Sequence, residues 1–152
     1  MKMNTQLLFI ALALIAGTLV PLQTASNALL SRSLHSGLFA TLVVFLVAAV
    51  TIAILLVARQ ESLPAVTQLK EIPLMSWIAG GILGAVYIFL LIYLSPKLGI
   101  AAVTGFVVAG QLLMAVTIDH FGWLGFPVHT IQWQRIAGIL LLGAGLYLIK
   151  KF

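Results

Sequence analysis

The sequence predicts an all-α integral membrane protein with five transmembrane helices. Three observations carry that expectation. Of 152 residues, 62% are hydrophobic and only 7% charged, against ~45–50% apolar and ~25% charged in soluble domains. Five segments are apolar enough to occupy a bilayer core, which takes roughly 20 helical residues. The connections between them are too short to hold a soluble domain, so 1–152 reads as a single membrane domain.

The first span is expected at 7–30. It is apolar from Leu7 and interrupted late by Pro21, Gln23, Thr24, Ser26 and Asn27. Residues Asn4–Val20 behind Lys2 also fit a signal peptide cleaved near Ala25, but the return of apolar residues at Ala28-Leu29-Leu30 suits a spanning helix better. The second span, 38–57, is almost unbroken. The third is expected at 77–94 and the fourth at 100–118. The fifth, 136–149, is short enough to need its flanks or a locally thinned bilayer. Trp77, Tyr93, Phe121, Trp123, Trp133 and Tyr147 fall near span ends, where interfacial anchors belong. Arg32–Gly37 and Ser95–Gly99 read as tight turns; Ala58–Ser76 and Gly122–Arg135 are the longer loops.

The net charge of +5 does not point to nucleic acid. Such binding needs a clustered basic face, whereas these cations stand singly between apolar runs and suit anchoring to anionic headgroups. Their distribution bears on topology instead. Lys2, Arg59, Lys70 and Arg135 fall on one side of five alternating spans, and Arg32, Lys97, Lys150 and Lys151 on the other. The positive-inside rule therefore expresses no preference. Either the tie is accidental, or the chain inserts both ways and pairs antiparallel. A weak internal echo accompanies it: Leu30-Ser31-Arg32-Ser33-Leu34 resembles Leu94-Ser95-Pro96-Lys97-Leu98. An odd-helix unit paired with its inverse has the plan of an inverted-repeat transporter.

Polar residues at membrane depth need a reason. Gln23 and Asn27 are four apart on one helical face, next to Pro21, which removes a backbone donor and tends to kink the helix. They are either a substrate-binding stripe or hydrogen-bonding glue between helices. Gly80 with Gly84, and Gly81 with Ala85, are small-xxx-small pairs that permit close helix packing. Tyr87 lies on the Gly84 side, as a cavity-lining or a structural tyrosine. Ala101, Gly105 and Ala109 form a second small ridge, and Gly138 with Gly145 a third. Gln111 has no water at its depth and must face protein or a cavity. Asp119 and His120, at the membrane edge, are the candidate proton-coupling residues; the plainer expectation pairs Asp119 with Arg135.

Enzyme templates are missing. There is no nucleophile elbow, no Gly-rich loop after a strand and no paired carboxylates. With no Cys, disulfides and thiol chemistry are excluded. His35, His120, His129 and Asp119 lack metal-ligand spacing. The sequence calls for no metal and no cofactor.

Several groups carry a resemblance that spans the chain. Pro21-Leu22-Gln23 with Asn27, Ser31-Arg32, Trp77 with Gly80–Ala85, and Pro96-Lys97-Leu98-Gly99 are four of them. More specific are Ala109-Gly110-Gln111, then Ile118-Asp119-His120-Phe121-Gly122, then Arg135 and Gly138. In these the sequence resembles the YdcZ-type family of bacterial inner-membrane proteins. That family is placed among the half-size members of the drug/metabolite transporter superfamily, related to small multidrug resistance proteins. The resemblance implies a multi-pass exporter of a small organic solute, in which an antiparallel homodimer, or a pair with a paralogue, acts as one transporter. Small multidrug resistance proteins carry a titratable Glu in the first helix. Here Gln23 and Asn27 stand instead, so proton antiport through that site is not carried over.

The sequence expectation is therefore a transporter cavity lined by Gln23, Asn27, Tyr87 and Gln111, with helices rocking across Gly80–Gly84 and Gly105–Ala109. The alternative is a non-transporting subunit that packs against a partner membrane protein.

Overall fold

A computed structural model describes residues 3–151. Lys2 of the charge tally lies outside the described residues. The chain is helical almost throughout: α1 (Met3–Leu34), α2 (Gly37–Ala58), α3 (Val66–Glu71), α4 (Leu74–Leu98), α5 (Ile100–Phe121) and α6 (Trp133–Lys151), with a 3₁₀ turn at Trp123–Gly125. No strand occurs among the described residues.

Four helices are long and apolar enough to cross a membrane: Thr5–Leu34, Gly37–Ala58, Leu74–Leu98 and Ile100–Phe121. At ~1.5 Å per residue, even the 22 residues of α2 and of α5 rise about 33 Å. In α6 the apolar run lies between Arg135 and Lys150.

The helices run past the expected spans because side chains and left-handed residues decide where they stop. α1 ends at His35, whose φ of 53° is left-handed. There Ser36 N–H donates back to the Ser31 carbonyl at 3.2 Å, the wrap that closes many helix C-termini. Ser36 at once caps α2, its Oγ accepting from Phe39 N–H at 3.1 Å. α2 ends in the same way, with Gln60 at φ 53° and Glu61 N–H on the Leu56 carbonyl.

Two expectations need correction. Ser95–Gly99 is not a turn: α4 continues through Pro96 to Leu98, and Gly99 alone (φ 83°) makes the corner into α5. Pro96 deprives only the Ile92 carbonyl of its helical donor, in a last turn whose carbonyls are already losing partners. The Ser95 hydroxyl donates to the Leu91 carbonyl there. The loop Ala58–Ser76 also contains a short helix, α3, preceded by Gln68 Oε1 accepting from Ala65 N–H at 3.2 Å.

Contacts divide the chain into two units, Leu22–Lys97 and Met1–Pro21 with Leu98–Phe152. In the first, Phe45 of α2 packs over Gly84 of α4, and Phe89 of α4 packs over Gly37 of α2. Ala40, Ile88, Leu91 and Ile92 are buried there, together with the polar Thr24, Asn27, Thr41 and Ser95. In the second, α5 packs on α6, burying Val103 and Leu146. Leu146 sits where a Cβ on Gly105 would stand. Large apolar side chains such as Leu42, Leu46, Leu113 and Leu141 are exposed. Lipid is as apolar as they are, so nothing drives them inward.

Candidate functional site

The polar residues of the first span come together with α2. Gln23, Ser26 and Asn27 form one wall of a cavity of about 400 Å³, and Val43, Val44, Val47 and Ala48 form the other. Helical spacing explains the wall: positions 23, 26, 27 and 30 share a face, and Leu30 closes its end. Asn27 is buried and Gln23 exposed. Every lining group is uncharged. The cavity thus offers two amides and a hydroxyl opposite an aliphatic surface, which suits a solute that is apolar on one side and hydrogen-bonding on the other.

A second cavity, about 450 Å³, lies between α2 and α4, bounded by Phe45 and Phe89 with Leu38, Leu42, Ala85 and Val86. Its one hydroxyl, on Thr41, donates to the Gly37 carbonyl at 2.8 Å. The space is consequently apolar in character. Sequence reasoning does not single out these two phenylalanines, because α2 is apolar all round and no periodicity distinguishes its faces. Their only signal is a glycine in the facing helix.

Tyr87 is half-buried on α4 and lines neither cavity. Gln111 is exposed on α5. A Cβ on Gly80 or Gly81 would meet nothing within 4 Å, whereas one on Gly84 would touch the Phe45 ring at 3.5 Å. Ala109 is half-buried.

Asp119 and His120 fall in the last turn of α5 and fasten the loop that leads to α6. Asp119 Oδ2 stands 3.4 Å from Arg135 Nη1. Both side chains are more than a third exposed, at 39% and 38%, so the pair is worth about 0–1 kcal/mol. The Asp119 carbonyl accepts from His129 N–H at 2.8 Å, and His120 Nδ1 accepts from Ile131 N–H at 3.4 Å. Between α5 and α6 the ion pair borders a cavity of about 400 Å³ with Leu112, Ala115, Val116 and Ile139. Beyond Arg135 is a smaller one, about 220 Å³, lined by Val128, His129, Thr130, Gln132 and Arg135. Sequence reasoning missed Thr130 and Gln132, although polar residues packed between Pro127 and Arg135 were a usable signal. Among the described residues, no group of three or more His, Cys, Asp or Glu is placed to hold a metal ion.

A family model described as "Putative inner membrane exporter, YdcZ" matches residues 8–148. The chain belongs to the YdcZ family. With that family and its apolar helices, it is a multi-pass protein of the inner membrane, and the family description is that of a transporter rather than an enzyme. Neither the curated proteins nor the solved structures give a match. The groups that carry the sequence resemblance, from Pro21-Leu22-Gln23 to Arg135 and Gly138, all lie inside the matched range.

Proposed function

We propose that this YdcZ-family chain is the protomer of a secondary transporter that exports a small organic solute by alternating access. The solute sits against Gln23 and Asn27 in the α1–α2 cavity. The observation that carries this reading is the meeting of three polar groups with an aliphatic wall inside helices of spanning length. Neutral, zwitterionic or delocalised-cation solutes fit such a site better than compact multiply charged ones, because no lining group offers a counter-charge.

In this reading five helices cross the membrane, α6 included, and two copies pair antiparallel. Exposed Gln111 supports the pairing: an amide facing hydrocarbon without a partner costs several kcal/mol, so partner protein or an aqueous cavity must cover it. The open space at Gly80 supports it too, since small residues let backbones of neighbouring protomers approach. Tyr87 and Gln111 are the further polar residues this reading assigns to the solute, with helices rocking across Gly80–Gly84 and Gly105–Ala109. Asp119 and His120 are the titratable residues through which ion coupling would act.

The test is flux by the purified protein in proteoliposomes, with ethidium as a delocalised cation and glycine betaine as a zwitterion. The reading expects at least one of them to move down its gradient in a saturable manner, and more slowly after Gln23→Leu or Asn27→Leu. Movement of neither probe by well-folded protein would favour the accessory-subunit role instead.

A further inference from the structure

Arg135 stands on the wall of two cavities, and its partner Asp119 lines only one of them. On the side without the carboxylate, the surrounding groups are His129, Thr130 and Gln132, all able to donate hydrogen bonds. We propose that this smaller cavity is an oxyanion site for a phosphate group, with Arg135 as its charged anchor and Thr130 and Gln132 as neutral donors.

Four observations support the assignment. The guanidinium is an always-charged fork of five N–H groups, and Asp119 Oδ2 engages only its Nη1, at 3.4 Å. Arg135 also lines the smaller cavity, whose lining does not include Asp119. The backbone around the site is held from α5 by His129 N–H on the Asp119 carbonyl and by Ile131 N–H on His120 Nδ1. These bonds tie the backbone of the site to α5, while the Thr130 and Gln132 side chains stay exposed and open to a ligand. The volume of about 220 Å³ admits a phosphate together with several waters, each taking about 30 Å³. Finally, α6 begins beside the cavity, so the positive end of its dipole adds to the field of Arg135.

The phosphate could belong to a lipid headgroup or to a dissolved solute. Trp123, Phe126 and Trp133, which flank the lining residues in sequence, are exposed, as aromatic residues are at headgroup level, so a headgroup would reach the site without leaving the bilayer. The site is independent of the α1–α2 cavity, and its test reads binding rather than transport.

Thermal unfolding of the full-length protein is followed in two settings. One titrates inorganic phosphate into protein held in a non-ionic detergent. The other compares nanodiscs of phosphatidylcholine alone with nanodiscs containing added phosphatidic acid, whose phosphate is a monoester. A saturable stabilisation is expected in at least one setting, weakened about tenfold or more in apparent affinity by Arg135→Gln, the loss typical of a charge-assisted contact. Thr130→Val with Gln132→Leu leaves the ion pair in place and is expected to weaken it several-fold. This double variant keeps the test decisive if Arg135→Gln does not fold. A response only to phosphatidic acid identifies a lipid headgroup, and a response to free phosphate identifies a dissolved ligand. No saturable response in either setting, or a response unchanged in the double variant, overturns the assignment.

Discussion

Leu146 of α6 occupies the space that a side chain on Gly105 of α5 would need. The two helices approach closely because residue 105 has no Cβ, and Leu146 is buried as a result. Gly105→Ala is expected to destabilise the protein by about 1–3 kcal/mol, the range for overpacking. The lower end applies, since the colliding atom is the far end of a flexible side chain. Leu146→Ala removes the colliding atom, so the double variant should lose less than the sum of the two single losses. Melting temperatures of the two single variants and the double variant measure the coupling directly.

Gly80→Ala is the matching control. A Cβ there meets nothing within 4 Å, so protomer stability should hold or rise by up to ~1 kcal/mol, Ala being the better helix former. Cross-linking of detergent-solubilised protein then reports on the proposed pairing. Gly80→Leu is expected to reduce the dimer fraction while leaving the unfolding temperature of the protomer near normal.

Gly122 ends α5 in the left-handed region at φ 61°. A Cβ would stand 2.7 Å from Val128 Cγ2 and 3.2 Å from the Phe126 carbonyl oxygen. Gly122→Ala therefore combines a left-handed penalty of roughly 1–2 kcal/mol with a contact that backbone cannot relieve. The loop before α6 should loosen, and hydrogen exchange at His129 and Ile131 should quicken. Unchanged exchange at both amides would contradict this account of the loop.

Much of this architecture is legible in the residues. Gln23 and Asn27 could be placed on one face from their spacing alone, and Asp119 with Arg135 from their scarcity near a membrane edge. The echo is visible but its meaning is not: Leu30–Leu34 and Leu94–Leu98, which read in part as turns, are both last helical turns, followed by the positive-φ residues His35 and Gly99. Pro96 misleads, because a proline is disruptive in mid-helix but tolerable where the helix is already running out of donors. α3 is hidden because its single turn and a half, Val66–Glu71, is too short for a periodic pattern, with only Val66 and Leu69 on one face, and lies between Pro64 and Pro73. The Phe45–Gly84 and Phe89–Gly37 contacts are hidden for a different reason. When nearly every position of a helix is apolar, hydrophobicity no longer marks the packed side, and only complementary shape decides it.

Sidedness tests the antiparallel pairing. The chain has no Cys, so single cysteines replacing Ser33 and Ser62, both exposed, can be labelled from outside intact cells without background. Ser36 is unsuitable because it caps α2. A homodimer of oppositely inserted copies predicts partial labelling at both positions. Labelling at only one position would require an oppositely inserted paralogue as the partner.

The central claim is that the cavity between α1 and α2 holds the solute through Gln23 and Asn27. The most direct measurement is initial flux of the transported probe, ethidium or glycine betaine, by purified protein in proteoliposomes, with wild type compared against Asn27→Leu and against Gln23→Leu with Asn27→Leu. Loss of the amides should slow flux by about tenfold or more, one or two hydrogen bonds' worth of ~1 kcal/mol each plus the penalty of leaving solute groups unpaired. Unfolding temperature and dimer fraction should stay near those of wild type. Flux at the wild-type rate in the double variant would contradict the claim.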